Sequence, residues 1–198
     1  MITHPGSFYK VFIDPLMSKV HRLVAYLIPE GARVIDIACG NGTLALKISD
    51  KAAHVTGIDL SPEMISFATR RAGQSRMTKL KFIEMEASDL SQFADKEFDV
   101  ATTSMAIHQF QHETGIRILK EMTRISKNII VLDYNYPLPR NFYGFAARTI
   151  ESMAGKEHHQ NFKTYIEHGG IAGIADSLGI KLKAVPGFKR SAFTIVKS

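Results

Sequence analysis

The sequence predicts an α/β fold: a doubly wound, mostly parallel seven-stranded sheet with an antiparallel C-terminal hairpin. Short apolar runs alternate with stretches of helical spacing from Arg33 to Asp133, and that alternation builds a parallel sheet with helices on both faces. The run Val34-Ile35-Asp36-Ile37-Ala38-Cys39-Gly40-Asn41-Gly42-Thr43 joins a strand to a helix through two closely spaced glycines. Such a turn admits positive φ and lets a ligand approach the backbone. Finally, residues 180–185 and 192–196 read as strands joined only by Pro186-Gly187-Phe188-Lys189-Arg190-Ser191. A link that short cannot make a parallel crossover, so the pair is an antiparallel hairpin at the sheet edge.

The elements follow in order. Phe8, Val11, Phe12, Leu16, Val20, Leu23, Val24 and Leu27 recur at helical spacing, and Pro15 is expected to divide this segment into two helices. Residues 33–37 form a first strand, 43–49 a first helix and 54–58 a second strand that ends at Asp59. Ser61 is placed as N-cap, Pro62 suits the first helical position, and Gly73 stops that helix. Residues 79–84 and 98–103 are the third and fourth strands. Residues 112–126 form a helix whose buried face is predicted to carry Ile116, Leu119, Met122 and Ile125. Residues 128–133 are a continuous apolar run, the mark of a strand buried on both faces. Helices are expected over 141–154 and 162–178, the second interrupted by Gly169 and Gly170. The chain reads as one domain, 1–198: N-terminal helices at 1–30, a core at 31–135, a helical cap at 136–179 and the hairpin at 180–198.

Composition narrows the class. With 198 residues, 45% apolar and 22% charged, the chain has the make-up of a globular domain. No apolar run reaches the roughly 20 residues that span a bilayer. Pro5 and Asp14 interrupt the segment where a signal peptide would need apolar continuity, so a cytoplasmic location is expected. The single cysteine, Cys39, excludes an internal disulfide and a thiolate-rich metal cluster, and reads as compact filler within the glycine turn. The net charge of +6 is dispersed over Arg70, Arg71 and Arg76 and over Lys181, Lys183, Lys189 and Arg190. No aromatic residues interleave with these cations, so a nucleic-acid partner is not expected.

Gly40-Asn41-Gly42-Thr43-Leu44-Ala45 also fits the dinucleotide fingerprint, with Asp59 at a suitable distance. Asp36 opposes that reading, because a carboxylate four residues before the first glycine lies where a pyrophosphate would sit. S-adenosylmethionine reverses the electrostatics: it carries no phosphate but has a sulfonium and an ammonium group. Asp36 then attracts the ligand, and Asp59 at the end of the second strand is placed to accept from both ribose hydroxyls.

At these residues the chain resembles the class I S-adenosylmethionine-dependent methyltransferases, motif by motif over residues 34–133. The segment from Asp36 to Gly42 is similar to the family's acidic, glycine-rich first motif, with Ala38 where many members have glycine. The resemblance implies donor contacts from Asp36, Ala38, Gly40, Asn41 and Gly42. It gives Asp59 the ribose and Leu60 the adenine face. Glu86 and Ala87 would meet the adenine edge, with Asp89 as a rival carboxylate, and Ser104 would lie near the methionine end. The style of these motifs and the N-terminal helical segment are most like the small-molecule branch that includes ubiquinone and menaquinone biosynthesis methyltransferases. S-adenosylhomocysteine is the product that the resemblance implies.

Methyl transfer from a sulfonium needs positioning, and a base only when the acceptor must lose a proton. His108, Gln109 and His112 after the fourth strand and Tyr134, Asn135 and Tyr136 after the fifth are the candidates, with Tyr9 and Tyr143 on flanking helices. His108 is the expected base and Tyr134 the second catalytic candidate. His158-His159 with His168 has only superficial metal spacing, and no metal is expected. No Asn/Asp-Pro-Pro-Tyr/Phe follows the fourth strand and no Pro-Cys pair occurs, which argues against nucleobases as acceptors. Phe142, Tyr143, Phe145, Phe162 and Tyr165 in the cap suit a small apolar, aromatic or quinone-like acceptor, or else simply pack the cap. The expected protein is a monomer or homodimer acting on a small molecule. Methylation of RNA or protein, and a non-catalytic donor-binding module, are the alternatives.

Overall fold

The computed structural model describes residues 14–74, 78–188 and 191–198. Phe8, Tyr9, Val11, Phe12, Arg76, Lys189 and Arg190, which figured in the sequence reading, lie outside the described residues. The described residues contain seven strands, in a mixed sheet, and seven α-helices. The chain divides into two compact units, Met1–Glu86 and Ala87–Ser198.

The first unit holds helix α1 (Asp14–Leu27), β1 (Arg33–Ile37), α2 (Thr43–Ile48), β2 (His54–Asp59), α3 (Pro62–Gln74) and β3 (Leu80–Glu84). Its strands pair in parallel, with Asp36 opposite Gly57 and Gly57 opposite Phe82. Val34, Ile35, Ile37, Val55 and Ile58 are buried, because helices cover both faces of a parallel sheet. The expected N-cap is present, with the Ser61 hydroxyl accepting from the Met64 N–H at 3.2 Å.

The second unit holds β4 (Phe98–Ser104), a 3₁₀ turn (Ile107–Gln109), α4 (His112–Ile125), β5 (Ser126–Tyr134), α5 (Phe142–Met153), α6 (Lys156–Glu167), α7 (Gly170–Ser177), β6 (Lys183–Ala184) and β7 (Phe193–Lys197). β4 and β5 are parallel, while β7 runs antiparallel to both β5 and β6. The C-terminal hairpin is therefore present, with its first strand reduced to Lys183–Ala184. The helix expected from Phe162 instead starts at Lys156, and the glycines at 169 and 170 separate α6 from α7 rather than kinking one helix. On α4 the buried face is Gly115, Ile118, Leu119, Met122 and Ile125. Ile118 takes the place expected of Ile116, which is only half-buried. The Arg124 guanidinium on this helix donates to the Leu90 and Phe93 carbonyls, both at 2.9 Å, and pins the loop before β4.

His21, on the inner side of α1, is 7% exposed. Burial and then the nearby Lys47 lower its pKa to about 4. A neutral buried imidazole stabilises the fold above its unfolded pKa of about 6.5, and that contribution is lost as the pH falls towards 4. The unfolding free energy should fall between pH 6.5 and 4, and His21→Gln should flatten this slope by about 1–3 kcal/mol, measured by urea titration at each pH.

Candidate functional site: a clamped glycine turn and a buried His–carboxylate cluster

In the first unit, carboxylates stand at the ends of β1 and β2. Asp36 is 1% exposed near the end of β1, and Asp59 closes β2. The turn that leaves β1 places Ala38, Gly40 and Gly42 at φ of 52°, 52° and 73°. The Cys39 N–H donates to the Ile58 carbonyl at 2.8 Å, holding the turn against β2. Asp59 clamps it: Oδ2 accepts from the Gly40 N–H at 2.8 Å and Oδ1 from the Ser61 N–H at 2.9 Å. One carboxylate thus fixes the glycine turn and the entry to α3 together. Asn41 Oδ1 accepts from the Thr43 N–H at 3.1 Å, and Arg71 donates to the Asn41 carbonyl at 2.9 Å.

The Phe82 ring of β3 fills the space beneath this turn. A Cβ on Gly42 would lie 2.8 Å from Phe82 Cζ and 2.9 Å from Ala68 Cβ, and one on Gly57 would lie 2.6 Å from the same ring. Cys39 is half-buried, and burial followed by Asp36 and Asp59 pushes its thiol far above the ordinary range. It stays protonated, which suits compact filler and not a nucleophile. Leu60 stands beside Asp59 with 63% of its surface exposed.

The second unit builds a different centre. Asp133, fully buried at the end of β5, accepts from His108 Nδ1 at 2.6 Å, from the Tyr134 N–H at 2.7 Å and from the His108 N–H at 3.3 Å. Glu151 of α5 accepts from the Tyr134 hydroxyl at 2.6 Å, and its other oxygen meets His158 Nε2 of α6. His108 Nε2 lies 3.6 Å from Glu151 Oε1. Burial alone would lower the His108 pKa, but Asp133 and then Glu151 more than reverse this, so the net direction is up. Burial likewise raises Glu151, and His158, His108 and Tyr134 reverse it, leaving a carboxylate below its usual range. Phe162 and Tyr165 of α6, at 4% and 3% exposure, close over the cluster.

Comparison with known proteins shows what the chain is similar to. Residues 34–128 match the family described as a methyltransferase domain. Those 95 of the chain's 198 residues are similar to that domain. Demethylmenaquinone methyltransferase of Thermus thermophilus is 31% identical over 119 residues, covering 59% of this chain and 53% of that protein. The ubiquinone/menaquinone biosynthesis C-methyltransferase of Rhizobium meliloti is 32% identical over 154 residues, 68% of this chain and 58% of that one. The chain thus spans little more than half the length of these curated relatives. In fold, a protein of Pyrococcus horikoshii superposes with a TM-score of 0.69 at 19% identity, covering 96% of this chain and 97% of that one. Magnesium protoporphyrin IX methyltransferase of Synechocystis superposes with a TM-score of 0.65 at 16% identity, over 100% and 87% of the two chains.

The fold distributes the expected residues unevenly. Asp36, Ala38, Gly40, Asn41, Gly42, Asp59 and Leu60 all belong to one strand–turn–strand arrangement in the first unit, and Glu86 is exposed shortly after β3. In the second unit Ala87 is buried, and Asp89 is exposed, its Oδ1 accepting from the Ser91 N–H at 3.1 Å as a turn residue does. Ser104 ends β4, half-buried, before Met105 at φ 54°. His108 and Tyr134, at 1% and 3% exposure, are enclosed with their polar atoms committed to Asp133 and Glu151. Asn135 donates to the Phe188 carbonyl at 3.2 Å, and His112 stacks on His168 with ring centroids 4.2 Å apart. Among the described residues no helix is long and apolar enough to cross a membrane. The sequence reading missed Asp133 and Glu151. Asp133 is the last residue of an apolar run and carried a signal, whereas Glu151 lies in the last turn of a helix and carried none.

Two stability tests follow from this geometry. Gly42→Ala should destabilise the domain by about 2–4 kcal/mol through left-handed strain and the clash with Phe82, whereas Ala38→Gly should stabilise it by up to about 1 kcal/mol, both by urea unfolding. Asp133→Ala should cost about 3–5 kcal/mol by the same measurement, because it strips a buried imidazole of its partner.

Proposed function

We propose that this protein transfers a methyl group from S-adenosylmethionine to a small-molecule acceptor of apolar, aromatic or quinone-like character. The observation that carries the reading is the clamp of Asp59 on the glycine turn. A carboxylate offers about four acceptor sites. The Gly40 and Ser61 N–H groups use two of them, leaving capacity for the paired hydroxyls of a ribose. Leu60, exposed next to Asp59, offers an apolar face to an adenine. Asp36, with no phosphate to oppose, favours a cationic ligand. The donor supplies a methyl group made electrophilic by its sulfonium, and the chain's residues bind and orient it. Glu86, Ala87, Asp89 and Ser104 are assigned to the donor on the sequence resemblance alone.

An acceptor that arrives already ionised needs no base. His108 and Tyr134 are therefore assigned a holding role, bound as they are to Asp133 and Glu151, and no proton is routed through them. On α5, Phe142, Tyr143 and Phe145 are 76%, 59% and 67% exposed. This apolar face supports an apolar acceptor, while Phe162 and Tyr165 serve packing. The reading carries with it a cytoplasmic enzyme, monomeric or homodimeric.

Calorimetry with S-adenosylhomocysteine tests the donor. Wild type should bind it, Asp59→Ala should weaken binding at least 100-fold, and Asp59→Asn should fall between, since an amide oxygen can still accept from one backbone N–H. A wild-type protein that ignores this ligand overturns the proposal.

A further inference from the structure

We propose that His108, Glu151 and His158 form a binding site for one divalent transition-metal ion of the zinc type, which ties the helices α5 and α6 to the turn after β4. The ligand atoms of these three side chains all lie within 4.8 Å of one another. They come from three separate elements, the 3₁₀ turn, α5 and α6, so the cluster is a product of folding and not of one helix face. Zinc bound at about 2.0–2.1 Å in a tetrahedron sets its ligands roughly 3.3 Å apart. The 3.6 Å between His108 Nε2 and Glu151 Oε1 is close to that spacing. His158 meets the other Glu151 oxygen and is the outermost of the three, with a side chain 25% exposed.

Three features distinguish this cluster from an ordinary ion pair. The first is the arrangement around His108. Its Nδ1 is held by Asp133 at 2.6 Å, which fixes the ring and turns Nε2 towards Glu151. A carboxylate behind a metal-binding imidazole is the usual outer-shell partner of such ligands. The second is that Glu151 has an outer partner of its own, the Tyr134 hydroxyl at 2.6 Å. The third is electrostatic. With Nδ1 donating to Asp133, the Nε2 lone pair faces a carboxylate oxygen, two acceptors that require something positive between them. A proton or a metal ion meets that need, and the second imidazole, aimed at the same carboxylate, completes a two-histidine, one-carboxylate set. That donor set suits zinc, iron(II), cobalt(II) or manganese(II), whereas calcium and magnesium prefer all-oxygen sites. The sequence reading expects no metal and finds only superficial metal spacing at His158-His159 with His168. The fold instead joins His158 to residues 50 positions earlier and 7 positions earlier in the chain.

The test uses the whole chain, stripped of metal by chelator dialysis and titrated with Co²⁺ and Zn²⁺. One Co²⁺ per chain should bind, with the intense visible absorption of a low-coordinate site, and Zn²⁺ should displace it. Zn²⁺ should raise the thermal unfolding midpoint by several degrees, since an ion that binds the folded state stabilises it. His158→Gln should lower Zn²⁺ affinity at least 10-fold and abolish the absorption, while His168→Gln should retain both. X-ray absorption on the zinc-loaded wild type gives a readout that no variant can confound, and it should show two imidazoles in the inner shell. Binding below one ion per chain, binding indifferent to His158→Gln, or an inner shell without imidazole overturns the proposal and leaves a proton as the bridging charge.

Discussion

A carboxylate taken out of water must find a positive or hydrogen-donating partner within reach, and Asp133 imposes that demand on the second unit. It sits fully buried at the end of the central strand β5. Its oxygens are satisfied by the His108 ring, the His108 N–H and the Tyr134 N–H. This fixes where the chain must go after β4, because the 3₁₀ turn has to deliver both the imidazole and the backbone N–H of one residue to the same acid. The His108 imidazole, held by Asp133 on one side, faces Glu151 of α5 on the other, and Tyr134 and His158 meet the same carboxylate. A cap of otherwise modest apolar content is thereby held by a buried polar network. Such networks specify a structure strongly when every member is satisfied.

The first unit solves a different problem with the same chemistry. A turn with left-handed residues at 38, 40 and 42 is costly to hold open, above all at Ala38, which has a Cβ. Asp59 offsets this by accepting N–H groups on both sides of the turn, while Phe82 presses up from β3 and excludes any larger residue at Gly42 or Gly57. Rigidity of this kind has a functional meaning. A small ligand bound by backbone groups gains affinity from a turn that does not have to be ordered on binding.

The relation between sequence and structure is uneven along the chain. The strands β1, β2, β4 and β5 were legible because parallel strands buried on both faces leave continuous apolar runs. The Ser61 cap was legible because its chemistry is local. The buried face of α4 was misplaced at Ile116, since a helix of this length leaves two adjacent stripes and its packing on β4, β5 and α7 selects between them. The aromatics of the cap could not be sorted by sequence at all: Phe162 and Tyr165 pack inward, while Phe142, Tyr143 and Phe145 face outward. His108 and Tyr134 stood out as chemistry-bearing residues near strand ends. Nothing local could say that their polar atoms would be spent on Asp133 and Glu151.

The sequence by itself determined the fold class and the place of the glycine turn. Both rest on residues adjacent in the chain, where the spacing of apolar positions, the two glycines and the acids at strand ends act through local backbone geometry. Only the tertiary structure decided what Asp59 clamps, which histidines meet, and that Glu151 belongs with them. Those outcomes depend on contacts between elements far apart in sequence, and a buried charge selects its partners only after the chain has folded around it.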